Sequence, residues 1–159
     1  MFAVPANTVA VAENPALRHP VRVALAHAAD RASWAHLLRY DPERRFAVLV
    51  SRTEAGEVWL MSWLPGQGTG LHDHGRVDGA FTVVSGELSE LVVRRTTEGR
   101  VRESRRVLAA GQSRVFGPGY VHEVRNDGVD PAVSLHVYRA GGRTLRPYAL
   151  DPLDGPVPR

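Results

Sequence analysis

Along this chain the spacing of apolar residues changes once. From Pro20 to Tyr40 they fall at Val21, Leu25 and Ala28, then at Trp34, Leu37 and Leu38. That three-to-four-residue recurrence places one apolar stripe along a helix. It predicts one or two short helices, broken near Asp30–Ser33. After Arg45 the runs shorten and become rich in Val, Phe, Leu and Trp. Phe46–Ser51, Val58–Leu64, Ala80–Ser85, Leu88–Thr96, Val101–Leu108, Ser113–Phe116, Glu123–Asn126 and Ala132–Arg139 read as strands. Turn signals separate them at Glu54-Ala55-Gly56, Gly86-Glu87, Gly99, Ala110-Gly111, Gly117-Pro118-Gly119 and Asn126-Asp127-Gly128. Many short strands at even spacing predict a mainly β sandwich or barrel, with the helices at its N-terminus. Residues 1–16 mix Pro, Ala and Asn without periodicity and are expected to be poorly ordered. Residues 17–150 read as one domain, with helices at about 20–40, and residues 151–159, with three prolines, as a C-terminal tail.

Composition narrows the chemistry. The 159 residues, 43% hydrophobic, suffice for a core without covalent staples. No apolar run approaches the ~20 residues of a membrane span. Met1–Asn14 lacks the basic start and apolar centre of a secretory signal, so a cytoplasmic protein, expected as a monomer without membrane contact, is the reading. There is no cysteine, which excludes disulfides, thiolate metal sites and a cysteine nucleophile. Any metal must be held by His, Asp or Glu. Every basic residue is arginine, and the net charge is +3. The densest run, Arg94, Arg95, Arg100, Arg102, Arg105 and Arg106, is interrupted by Glu98 and Glu103 and carries no interleaved aromatics. It reads as a solvated hairpin face, with no nucleic-acid partner.

Two constellations carry chemistry. His72 and His74 stand at i and i+2, so in extended chain both imidazoles point to one face and can share a metal. His122, after Gly117-Pro118-Gly119, can approach from the opposite side of a barrel. Three imidazoles without a thiolate suit Fe(II), Zn, Cu or Ni and leave positions open for substrate and O2. The second is Ser134-Leu135-His136-Val137-Tyr138, where Ser134, His136 and Tyr138 share a strand face. A hydroxyl, an imidazole and a phenol in a row predict a hydrogen-bonded chain able to position the phenol. Trp59, Met61 and Trp63 also share a face and read as packing residues. His19, His27 and His36 read as surface or interhelical residues.

The sequence resembles the cysteine dioxygenase type I family of the cupin superfamily, in its bacterial form. The resemblance rests on Trp63-Leu64-Pro65-Gly66 leading into His72-Asp73-His74-Gly75, on Gly86-Glu87-Leu88, on Gly119-Tyr120-Val121-His122-Glu123-Val124-Arg125-Asn126, and on Pro131 to Tyr138. It spans about Arg45 to Tyr138. It implies a cupin, jelly-roll-like β-barrel that binds one Fe(2+) through His72, His74 and His122. It implies oxidation of L-cysteine's thiol by O2 to cysteine sulfinic acid, with Ser134, His136 and Tyr138 as the catalytic row and Tyr138 beside the substrate. It further implies an arginine for the substrate carboxylate ahead of the metal motif. Arg45 stands at about the right distance, with Arg44 and Arg52 as rivals. Another small thiol acid, such as 3-mercaptopropionate, a non-catalytic metal-binding sensor, and zinc-dependent isomerase or hydrolase chemistry are the alternatives.

Three departures from the family stand out. Asp78 is the acid nearest to a carboxylate-ligand position and is read as non-ligating. Gly79 stands where animal members carry a cysteine that crosslinks to the tyrosine, so Tyr138 is expected to remain a free phenol. Gly117 replaces a usual proline.

Overall fold

The computed structural model describes residues 18–139 and 141–159; the segment expected to be poorly ordered, 1–16, lies outside them. Helix α1 (Pro20–Ala29) starts with proline in its first turn and with the His19 ring accepting the Val21 N–H. It ends at Asp30, and two short 3-10 turns (Arg31–Ser33 and Ala35–Leu37) follow, so the helical region breaks where the spacing predicts.

Among the described residues eleven strands follow: β1 (Phe46–Thr53), β2 (Gly56–Trp63), β3 (His72–Asp73), β4 (Gly79–Ser85), β5 (Glu87–Arg95), β6 (Val101–Ala109), β7 (Ser113–Phe116), β8 (Val121–Arg125), β9 (Ala132–Tyr138), β10 (Arg146–Asp151) and β11 (Gly155–Pro158). They form two antiparallel sheets, in the orders β1-β2-β9-β4-β7 and β11-β10-β3-β8-β5-β6. The predicted strands are all present, to within two residues at their ends. The C-terminal tail is a correction. Residues 151–159 turn back as β11, with Tyr148 opposite Pro158 and Asp151 opposite Gly155. Of the three prolines that suggested a tail, Pro156 and Pro158 sit in this edge strand, where proline is tolerated, and Pro152 in the turn before it.

The apolar side chains separate into two layers. Met61, Trp63, Phe81, Leu88, Leu108, Phe116 and Val124 fill the space between the sheets. Outside the five-stranded sheet, Ala24 of α1 and Trp34 cover Val58, Leu60, Val133, Leu135 and Val137. β9 lies at the centre of that sheet and is buried on both faces. Its odd-numbered residues meet the helical cover. Ser134, His136 and Tyr138 therefore point into the barrel. The N-terminal helix thus closes the back of the strand that carries the polar row.

Trp34 is 1% exposed and donates its indole N–H to the His27 carbonyl at 2.8 Å. Trp34→Ala is expected to cost about 3–5 kcal/mol of unfolding free energy in a urea titration. Metal content per folded molecule should stay unchanged, because this layer lies behind the sheet.

Candidate metal centre

β3 is only two residues long, yet its place fixes the site. It pairs with β8 so that His72 lies directly opposite His122. His74 follows two residues after His72, on the same side. The His72 ring centroid lies 4.6 Å from that of His122 and 4.8 Å from that of His74. All three residues are buried, and one ligand atom from each lies within 4.8 Å of the others.

Each Nδ1 has a partner that can only accept. His72 Nδ1 donates to the Gly70 carbonyl at 2.9 Å, His74 Nδ1 to the Thr144 carbonyl at 2.6 Å, and His122 Nδ1 to the Glu90 carboxylate at 2.9 Å. The proton of each neutral ring is therefore on Nδ1, and Nε2 carries a lone pair. The Nε2 atoms of His74 and His122 face each other at 3.2 Å. Two lone pairs at that separation repel, and a cation between them removes the repulsion. The donor set therefore fits a metal ion held by three imidazoles. Burial, aided by the neighbouring imidazoles, lowers His72 to a pKa of about 3 and His74 to about 4, which keeps both rings neutral for coordination.

Glu90, 1% exposed, also accepts from Arg114 Nε at 3.0 Å and Tyr120 OH at 3.1 Å. Asp73, between the two β3-side histidines, faces the other way. It takes a two-pronged bond from Arg146, both at 2.7 Å, and one from Tyr148 OH at 2.8 Å. Arg146 and these other donors hold its carboxyl down at about 2. This cluster fastens β10 to β3. Asp78 is half exposed and pairs with Arg139, clear of the histidines.

The row on β9 lines the opposite wall. Trp63 Nε1 donates to Ser134 Oγ at 2.9 Å, and Ser134 Oγ meets His136 Nε2 at 2.8 Å. His136 stacks on Phe81 with 5.0 Å between ring centroids, and burial lowers its pKa well below the usual imidazole value. The expected chain stops there. His136 and Tyr138 stand nearly parallel, at 16°, with 6.3 Å between centroids. Residues i and i+2 of a strand are spaced about 6.6 Å and aligned side by side, so their rings stand in file instead of bonding end to end. The Tyr138 hydroxyl is instead in the electrostatic neighbourhood of Arg143 and Arg45, and burial pushes its pKa up to about 12.

Arg45 lines the same cavity as the three histidines, His136 and Tyr138. Its Nη1 donates to Met61 Sδ at 3.2 Å and its guanidinium lies over Trp63 at 5.3 Å. Burial, with neighbouring Arg143 second, lowers its pKa. The rivals lie elsewhere. Arg44 is 85% exposed against Asp41, and Arg52 pairs with Glu57. Met61, expected only to pack, is also part of the cavity wall.

Sequence reasoning missed three residues here, Arg143, Glu57 and Glu90. Arg143, in the loop after β9, reaches the cavity over the face of Trp59 at 4.8 Å. Glu57 holds that loop by accepting the Arg143 backbone N–H at 3.0 Å and the Trp59 indole N–H at 2.8 Å. No periodic signal marks Arg143. Glu90 had one, an acid within the apolar run Leu88–Val93. Outside the cavity a depression of about 920 Å³ shares Arg45, Thr69 and Arg143 with it and adds Arg44 and Arg125, a cationic approach from solvent.

A mainly β barrel with three inward-facing imidazoles is a cupin whose histidine cluster fits a metal ion. The structural neighbours agree. The crystal structure of TT1209 from Thermus thermophilus is 30% identical, with a TM-score of 0.54 over 67% of this chain and 92% of that one. A double-stranded beta-helix protein from Klebsiella pneumoniae is 25% identical, with a TM-score of 0.53 over 70% of this chain and 90% of that one. Recombinant oxalate oxidase, 20% identical with a TM-score of 0.57 over 66% of this chain and 55% of its own, shares the fold. A model of the family described as cysteine dioxygenase type I matches residues 17–150, and the chain belongs to that family. Cysteine dioxygenase type 1 of Homo sapiens is 28% identical over 119 residues, and that of Bos taurus 26%. Each match covers 71% of this chain, and the chain spans 60% of the length of these curated relatives.

Glu90→Gln keeps the shape but removes the charge that orients His122. Metal affinity, measured against a competing chelator, should fall roughly 10–100-fold. His122→Ala should abolish stoichiometric binding in the same titration.

Proposed function

We propose that this protein is an Fe(II)-dependent dioxygenase of small thiols that carry a carboxylate, converting L-cysteine and O2 to cysteine sulfinic acid. One observation carries the reading: three imidazole lone pairs, two guanidinia and a buried phenol face a single cavity. His72, His74 and His122 would hold the iron, which would supply O2 activation and a Lewis-acid seat for the thiolate. The chain's own residues do the rest. Neither Arg45 nor Arg143 has a side-chain carboxylate partner among the described residues, so both guanidinia are free to take the substrate carboxylate, for which their planar forks are suited. Tyr138 stays protonated at neutral pH and offers its hydroxyl as a donor over the reacting thiol. Trp63, Ser134 and His136 form the ordered wall behind it. Met61, Val124 and Leu145 exclude water.

A second substrate has an observation in its favour. Among the described residues no carboxylate lines the cavity to receive a substrate ammonium, while two guanidinia do line it. That balance favours a thiol acid without an amine, such as 3-mercaptopropionate, over zwitterionic cysteine.

O2 consumption by the iron-loaded protein decides both points. Thiol-dependent uptake with a sulfinic acid product is expected, and kcat/KM for cysteine against 3-mercaptopropionate ranks the substrates. If neither thiol drives uptake, the dioxygenase reading fails and a binding role replaces it. Metal analysis of protein purified without added metal should find iron; zinc alone would point to other chemistry.

Arg45→Ala should lower kcat/KM by about 10–100-fold, mainly through KM, as the loss of a charge-assisted hydrogen bond worth about 1.5–3 kcal/mol predicts. Tyr138→Phe should instead lower kcat by about tenfold or more with KM little changed.

A further inference from the structure

The arginine run of the β5–β6 hairpin, expected to be a solvated face, divides in the structure. Arg106 stands opposite Glu90, Ser104 opposite Val92, and Arg102 opposite Arg94. This row shares a face with Leu88 and Leu108, both in the core, but it runs out of the core past Glu90, and Arg94, Arg102, Ser104 and Arg106 are exposed at the mouth between the sheets. Arg95 and Arg105 lie on the other face. β6 and β7 are the edge strands of the two sheets, and a cleft of about 610 Å³ opens there. Arg94, Arg102 and Arg106 line it from the hairpin and Arg114 from β7, with hydroxyls from Ser104 and Tyr120.

The charges in this cleft are unbalanced. Four arginines stand against Glu90 and Glu103. Among the described residues only Arg114 of these four has a carboxylate partner, Glu90 at the floor. Arg94 and Arg102 are like charges directly across a strand pair, which is unfavourable without a counter-ion. Inward charge on an edge strand discourages sheet-to-sheet association, but isolated charges suffice for that. Guanidinia lining one cleft from both sheets, together with two hydroxyls, suit the charge and the hydrogen-bond acceptors of a phosphate dianion.

We infer that the cleft between β6 and β7 is an anion site for a phosphate-class dianion, free or as a monoester. It lies on the far side of His122 from the substrate cavity, because its floor, Glu90, is the residue that holds His122 Nδ1.

Calorimetric titration of the full chain with inorganic phosphate, at ionic strength held constant with chloride, tests it. Saturable binding of one phosphate per chain is expected, with a rise in Tm. The double variant R102A/R106A should weaken binding at least tenfold and lose the Tm rise, while R105A on the opposite face retains both. Circular dichroism without phosphate checks that R102A/R106A is folded; if it is not, R94Q, at an exposed position, takes its place. Glycerol 3-phosphate in a parallel titration separates the sources. Tighter binding of the ester assigns the cleft to a phosphate monoester, and weaker binding to the free anion. No saturable heat, or equal binding by wild type and R102A/R106A, overturns the inference.

Discussion

The site depends on the outward nitrogen of each imidazole having an acceptor that cannot donate. Gly70 supplies one carbonyl from the loop before β3. Thr144 supplies another from the loop after β9, and Glu90 supplies a carboxylate from β5. Three separate stretches of chain must be in register before the three lone pairs converge. The Glu90 link is the most demanding. A buried carboxylate is tolerated only when its lone pairs are filled, and here Arg114, Tyr120 and His122 fill them. The same residue that fixes the His122 tautomer therefore also ties β5 to β7, across the two sheets.

The two walls of the cavity are built by different means. The metal side hangs on a two-residue strand, too short to hold itself by ladder bonds. Asp73 compensates, since its bonds from Arg146 and Tyr148 fasten β3 to β10. β11 then covers the outer edge of β10. The C-terminal residues thus support the metal motif from behind, as α1 and Trp34 support β9 from behind. Both faces of β9 are dry, so Ser134 and His136 must satisfy each other, with Trp63 completing the set.

What was legible in the sequence followed from local periodicity. Alternation with a period of two placed His72 beside His74 and set Ser134, His136 and Tyr138 on one face, because a strand's geometry is fixed by its own residues. It could not say which charges surround Tyr138's hydroxyl, since Arg143 enters the same cavity from a loop with no period. Glu90 and His122 are brought together by the β5–β8 register, thirty-two positions apart in the chain. Choosing Arg45 over Arg44 and Arg52 needed the fold as well. Neighbouring arginines of equal propensity end in different places, one under Trp63's ring and one in solvent beside Asp41.

Position 79 shows how packing replaces a covalent constraint. Gly79 pairs directly with Tyr138 across β4 and β9, so a side chain there would meet the phenol's strand at close range. A Cβ at this position would fall 2.0 Å from the Val137 carbonyl and 2.6 Å from the Phe116 ring. Phe116 has taken that room. Its ring lies 5.6 Å from that of Tyr138 and 4.3 Å from that of His74. With no cysteine in the chain, no thioether can restrain the phenol. Phe116 on one flank and His136 in file on another restrain it instead. An uncrosslinked ring keeps the electronic character of an ordinary phenol, and burial raises its pKa further, so in the proposed reaction it would serve as a hydrogen-bond donor. That role requires Gly79 and Phe116 together, because a larger residue at 79 would displace the ring that holds Tyr138 in place.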